Sequence, residues 1–175
     1  KVIYSKYGGT EIKVEGIDWI RLHYAHPAHL HREMIARFGK LEKLLPYIDM
    51  PIQHGSTKLL KSMRRGLGKE GILKRIEGLR NACPKIILRT SVIVGYPGET
   101  EVDFKELYNL IEEVKFDRLG VFTYSEEEGT FAEKQLEDNI PQQVKYDRMD
   151  QIMLLQQEIS YDKNQKLIGT TQQIL

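Results

Sequence analysis

Arg89-Thr-Ser-Val-Ile-Val-Gly-Tyr-Pro-Gly-Glu-Thr-Glu-Val-Asp-Phe104 joins an apolar, β-branched run to a glycine turn and then to a helix. Val92, Ile93 and Val94 are stiff at χ1 and show no polar alternation, which predicts a strand buried on both faces, as a parallel sheet requires. Gly95 and Gly98 let backbone come close to a neighbour. Thr100 and Asp103 form a variant capping box, so the free N–H groups of the next helix lie just beyond the turn, at the carboxyl end of the strand. Ligands of α/β folds bind at that edge. A capped βα connection with no ligand is the plainer reading of the same residues.

Composition limits what this loop can belong to. The chain has 175 residues, 41% apolar and 29% charged, which is ordinary for a globular domain with a sizeable core. Its 26 Lys and Arg against 25 acids give a net charge of +1, so the summed charge makes no case for nucleic acid or a membrane surface. The single cysteine, Cys83, excludes an internal disulfide and holds no metal alone, and it points to a reducing compartment. With no long apolar span and no signal-type start, the expectation is a cytoplasmic protein without membrane contact.

Outward from the opening stretch, a strand–helix alternation emerges. Lys1 to Val14 carries no period, with a turn at Tyr7-Gly-Gly-Thr10. Ile17 to Tyr24 reads as a strand, and Leu30, Met34, Ile35, Phe38 and Leu41 recur at helical spacing until Gly39. Leu45 to Ile52 is a second strand, which Pro51 must end or bulge. Ser56 suits an N-cap for a helix over 57–65, and Ile72, Leu73, Ile76, Leu79 and Ala82 stripe another that stops at Pro84. Lys85 to Val94 and Arg118 to Tyr124 are further strands, flanking a helix buried through Phe104, Leu107, Tyr108, Ile111 and Val114. From Pro141 a long helix carries Val144, Met149, Ile152, Met153 and Ile159 on one side, and Lys166 to Leu175 begins a β-like run. Strands separated by helices imply a parallel sheet. Four such strands form a small open α/β domain or the latter part of a βα barrel, and the unpatterned start and abrupt end favour the barrel.

Three strand ends converge at the ligand edge: Gln53, His54 and Ser56, then Arg89 to Gly98, then Phe122 to Glu128. Turn and cap chemistry is the plain alternative for Gln53 and Ser56. A lone His54 near an apolar strand more often packs than reacts, because no carboxylate or second histidine stands at ligand spacing. His23, His26, His29 and His31 diverge in direction and make a poor metal set. Glu126-Glu-Glu128 reads as a solvated loop, with a basic partner surface as its functional alternative. Arg65 lies about two and a half turns beyond Ser56 and can fold back over the mouth to grip a carboxylate.

Met50-Pro-Ile-Gln-His-Gly-Ser56, Met63-Arg-Arg-Gly66, Leu88-Arg-Thr-Ser-Val-Ile-Val-Gly-Tyr-Pro-Gly-Glu-Thr100 and Phe116-Asp-Arg-Leu-Gly-Val-Phe-Thr-Tyr-Ser-Glu-Glu-Glu-Gly-Thr130 together resemble the second part of the radical S-adenosylmethionine (SAM) barrel of methylthiotransferases. The resemblance covers Gly16 to Ser160. Leu22-His-Tyr24, Ile48-Asp-Met-Pro-Ile-Gln-His54, Val121-Phe-Thr-Tyr-Ser125 and Leu155-Gln-Gln-Glu-Ile-Ser160 are most similar to the branch that methylthiolates the β-carbon of an aspartate in small-subunit ribosomal protein twelve. The transfer RNA branch usually has Gln-Ser where this chain has Gln53-His54.

The resemblance implies an α/β fold, a partial (β/α) TIM-like barrel over 1–162, with 163–175 starting a small C-terminal TRAM-like β-barrel that offers RNA contact. It implies SAM and two 4Fe-4S clusters as cofactors and a ribosomal protein as partner. By motif position the SAM-binding candidates are Gln53, His54, Ser56, Arg65, Arg89, Ser91, Gly95, Pro97, Phe122 and Tyr124. Of these, Gln53, Ser56 and Arg65 would face the methionine part, Ser91 the ribose, and Gly95, Pro97 and Phe122 to Tyr124 the adenine. The CxxxCxxC cluster motif is absent. Its cysteines are expected upstream of Lys1, and these residues alone are expected to be inert. A transfer RNA methylthiotransferase, a non-catalytic module on the same scaffold and an ordinary phosphate-binding α/β domain are the rival readings.

Overall fold

The computed structural model describes residues 16–171. The unpatterned start with its Tyr7 to Thr10 turn, and the last four residues of the expected β-like tail, lie outside that range. Four strands, β1 (Ile20–Leu22), β2 (Leu44–Asp49), β3 (Ile87–Val94) and β4 (Arg118–Thr123), form one sheet in the order β1-β2-β3-β4. Every neighbouring pair is parallel, as the helix-separated strands require.

The helices return the chain across one face of this sheet. They are α1 (Arg32–Ile35), α2 (Thr57–Ser62), α3 (Lys69–Ala82), α4 (Glu101–Val114), α5 (Phe131–Gln135) and α6 (Gln142–Gln165). Ile72, Ile76 and Leu79 of α3, Leu107, Leu110 and Ile111 of α4, and Ile152 and Ile159 of α6 bury against Ile48, Leu88, Val92 and Val94. Each such fully buried aliphatic side chain stabilises the fold by about 1.5–3 kcal/mol.

Several expectations needed correction. β3 alternates, with Leu88, Thr90, Val92 and Val94 buried while Arg89 is exposed and Ser91 and Ile93 are half-buried. Only one face meets helices, so the second face stays open. The helix expected through Leu41 is a single turn, because Pro27–His29 forms a 3₁₀ turn first and Gly39 adopts φ +74° after it, although Leu30, Ile35 and Phe38 still reach the core. The helix after Ser56 ends early, where Arg64 takes φ +55°. Thr130 caps α5 by accepting from the Glu133 N–H, and this short helix follows the acidic loop directly. On α6 the buried arc is Lys145, Arg148, Ile152, Leu155, Gln156 and Ile159, and Met153 is exposed. That helix runs to Gln165 and a turn follows over 166–169.

Pro51 interrupts the ladder as its missing N–H demands, and the chain repairs the gap with a side chain. Asp49 pairs with Arg89 and Gln53 with Val92, four residues on one strand against three on the other, which is a bulge. The Thr90 hydroxyl fills it, donating to the Met50 carbonyl at 2.9 Å and accepting from the Ile52 N–H at 3.2 Å.

Candidate functional site

The bulge aims Gln53 at the carboxyl edge. Its φ of +72° is rare for a side-chain-bearing residue, and its backbone is held by Ser91 and Ile93 on β3. Register then sets the open face beside it. Ser91 pairs with Gly120 and Ile93 with Phe122, so Ser91, Gly120 and Phe122 share that face. Phe122 is 58% exposed. A Cβ on Gly120 would stand 3.6 Å from the Phe122 ring and 3.8 Å from Ser91 Oγ, so the glycine leaves a shallow floor between an aromatic plate and a hydroxyl.

Arg65 reaches the same bend. Its Nη2 donates to the Pro51 carbonyl at 3.1 Å, while its Nε is buried with no partner. An orphaned guanidinium donor is a place for a ligand acceptor, since leaving it unpaired costs about 1–3 kcal/mol or more. Tyr124 presents a second orphan. Its ring packs edge-on to Tyr96 at 5.3 Å, and its hydroxyl is buried without a partner. Burial first, then the charges of Glu126 and Asp138, push that hydroxyl above its ordinary pKa, so it stays a neutral donor.

Other candidates are engaged within the protein frame. His54 is fully buried; Nδ1 accepts from the Ser56 N–H at 2.9 Å, which leaves the proton on Nε2 facing Glu99 Oε1 at 3.3 Å. This matches the packing alternative for that residue. Ser56 occupies the N-cap of α2 but makes no cap bond, and its hydroxyl donates to Asp103 at 2.7 Å. Arg89 is committed to Asp49 at 2.6 Å, and it pairs in register with the first residue of β4. Three residues before Val92, it lies roughly 10 Å from the edge where Gln53 sits. Pro97 is buried.

Gly95 does admit a close neighbour, but the neighbour is protein. A Cβ there would meet Lys145 Cγ at 2.3 Å, and φ is +73°. Lys145 and Arg148 descend from α6 onto the loop after β3. Lys145 Nζ donates to Asp138 at 2.5 Å and to the Tyr124 carbonyl at 3.3 Å. Arg148 meets Glu99 at 3.3 Å, and the fully buried Glu99 carboxylate also accepts from the Gly95 N–H and faces His54. Asp103 does the same at the next helix start. Burial alone would raise its pKa, yet hydrogen bonds from Lys58, Ser56 and Thr100 outweigh this and hold the carboxyl well below the usual range. The expected capping box between Thr100 and Asp103 is present.

The sequence reading missed Glu99, Lys145 and Arg148. A signal existed for the two cations: positions 145, 148, 152, 155 and 159 step by three and four, the spacing of one helix face. Near β1, His26 accepts from the Ala28 N–H and stacks 4.8 Å from His29. Burial first, then Arg65 and His29, lower its pKa and keep it neutral. No group of three or more potential metal ligands exists among the described residues. Cys83 is buried at the end of α3, at the opposite end of the sheet from Gln53. No helix among the described residues is long and apolar enough to cross a membrane.

Residues 4–111 match the Radical SAM superfamily. The chain is 48% identical over 163 residues to a ribosomal protein uS12 methylthiotransferase RimO of Clostridioides difficile, covering 93% of this chain and 36% of that protein. It is 45% identical to the protein of the same name from Bacteroides thetaiotaomicron, covering 93% and 37%. The chain therefore spans little more than a third of these relatives' length. Among solved structures, coproporphyrinogen III oxidase (HemN) from Escherichia coli, described as a radical SAM enzyme, superposes with a TM-score of 0.66 at 18% identity, covering 81% of this chain and 32% of that one. That likeness identifies the fold, a partial (β/α) barrel.

Proposed function

Because the chain belongs to the Radical SAM superfamily, we propose that it is part of a cytoplasmic methylthiotransferase that modifies an aspartate β-carbon in ribosomal protein uS12. The observation that carries the substrate is the 48% identity over 93% of the chain to a relative of that name. Contact with RNA through a small β domain following α6 belongs to the same proposal.

SAM fits the carboxyl edge on this chain's own terms. The orphaned Arg65 Nε is a donor for the methionine carboxylate, whose charge a guanidinium binds best. Gln53 and Ser91 supply polar contacts, and Phe122 above the Gly120 floor takes a flat base. Tyr124 offers a neutral hydroxyl. Glu99, His54, Ser56 and Asp103 hold the surrounding loops still, and Tyr96 with Lys145 screens Tyr124 from water. When bound, SAM would supply the methyl group and, once an electron delivered from elsewhere in the whole protein had cleaved its C–S bond, the adenosyl carbon that takes a hydrogen atom from an unactivated carbon.

An iron–sulfur cluster, which the family implies, does not fit these residues. It needs three or more thiolates, and the sequence has one cysteine, buried and at the far end of the sheet.

Arg65→Ala should weaken SAM binding by about 10–100-fold in equilibrium dialysis, the worth of a charge-assisted contact, while circular dichroism shows the variant still folded. Unchanged affinity would remove Arg65 from the site. For the reaction, the whole protein with its clusters reconstituted is offered uS12 and transfer RNA together. Mass spectrometry should find the modified aspartate; methylthio groups on the RNA alone would overturn the substrate assignment.

A further inference from the structure

The longest helix has two apolar arcs and the domain uses one. The buried arc of α6, with Ile152, Leu155 and Ile159 at its centre, lies on the sheet. At about 100° per residue, Tyr146, Met153, Leu154 and Tyr161 fall within an arc of roughly 100° on the opposite side. All four are exposed. A surface helix needs one apolar stripe for the core, and a second, lined up along the helix, marks a binding face.

The charges of the helix are sorted in the same way. Between Gln142 and Asp162 the cations Lys145 and Arg148 turn inward to Asp138 and Glu99. Asp147, Asp150, Glu158 and Asp162 all stay outside. Asp147 has only the neutral Gln143 amide as a partner, at 2.8 Å. Gln157, Glu158, Tyr161 and Asp162 line a shallow depression toward the C-terminal end of this face. The outer side of α6 is thus an apolar ladder set in negative charge.

We propose that this face docks a basic segment of the ribosomal-protein substrate, its Lys and Arg side chains meeting the four carboxylates while its apolar side chains cover the ladder. The step rests on the methylthiotransferase reading, and the partner's charge follows from its location: a protein seated in ribosomal RNA must neutralise phosphate. The same carboxylates argue against other occupants. RNA and an anionic bilayer would meet like charge, and so would the same face of a second copy.

The test measures binding of purified uS12 to the whole protein by biolayer interferometry at low salt. Asp150→Lys with Glu158→Lys should weaken binding by at least about tenfold and flatten its salt dependence, since charge pairs at an interface act this way. Tyr161→Ser with Leu154→Ser should weaken it at every salt concentration. Glu112→Lys with Glu113→Lys, exposed on α4, should leave it unchanged, and all variants should retain SAM binding. Equal affinity for the α6 variants and wild type would overturn the docking face while the functional reading stands. Wild-type protein that neither binds nor modifies uS12 would overturn both. Tyr161 and Leu154 shielded from hydroxyl-radical footprinting in the free protein would also overturn the proposal, because the rest of the chain would then be the occupant.

Discussion

Gly95→Ala tests what the glycine at the mouth is for. The added Cβ would stand 2.3 Å from Lys145 Cγ, 2.8 Å from Cδ and 3.1 Å from Cβ, in a backbone at φ +73°. Placing a side chain in the left-handed region costs about 1–2 kcal/mol. Lys145 cannot swing aside freely: its side chain is 3% exposed and its ammonium is paired with Asp138. Forcing the methyl in therefore adds an overpacking cost of about 1–3 kcal/mol. With a urea dependence of about 2 kcal/mol per molar, a total of about 2–5 kcal/mol lowers the unfolding midpoint by about 1–2.5 M. Gly98→Ala is the control. Its φ is +80° but no atom lies within 4 Å of the new Cβ, so only the backbone cost remains. Joining Gly95→Ala to Lys145→Ala should cost less than the sum of the two single changes, by about the overpacking cost. If Gly95→Ala proves no worse than Gly98→Ala, the lysine is not what the glycine accommodates. Loss of SAM affinity at full stability would then identify the ligand as the reason.

Asp103→Asn should lower stability at neutral pH and flatten its acid dependence. The folded pKa of Asp103 lies below its unfolded value, so its contribution is complete above about pH 4 and disappears as pH falls through the folded value. Melting temperatures from pH 6 down to 2 should fall more steeply for wild type, and parallel curves would refute the assignment. Thr90→Val should cost about 1–3 kcal/mol by leaving the Met50 carbonyl and Ile52 N–H without their hydroxyl. Thr90→Ser should recover much of that in urea unfolding, and a neutral Thr90→Val would show that the bulge needs no plug.

Much of the frame is legible in the sequence because it depends on local chemistry. Val92 to Val94, the glycine turn and the Thr100/Asp103 box identify a strand, a loop and a helix start without reference to anything distant. Pro51 announces a ladder defect for the same reason. The ionic interior is less legible. Lys145 is buried because Asp138 and the Tyr124 carbonyl are there to receive it, and Arg148 because Glu99 is, and these partners meet only after the chain has folded back. Polarity alone would place both cations in water. Ser56 misleads in a similar way, since its cap position is evident locally while its acceptor, Asp103, is 47 residues away.

Glu99 also dictates an order of assembly. Its carboxylate is wholly buried beside His54 and the Gly95 N–H, and the cation that balances it arrives with Arg148, which stands far later in the chain. A buried charge without its partner is strongly destabilising. Until α6 docks, the loop after β3 is therefore better off hydrated and unset, even though β3 and α4 can already pair and pack. The ligand edge is therefore expected to become a surface only when that distal helix closes it. Pulse-labelled hydrogen exchange during refolding should show the Gly95 amide gaining protection together with α6; protection of Gly95 ahead of that helix would contradict the order.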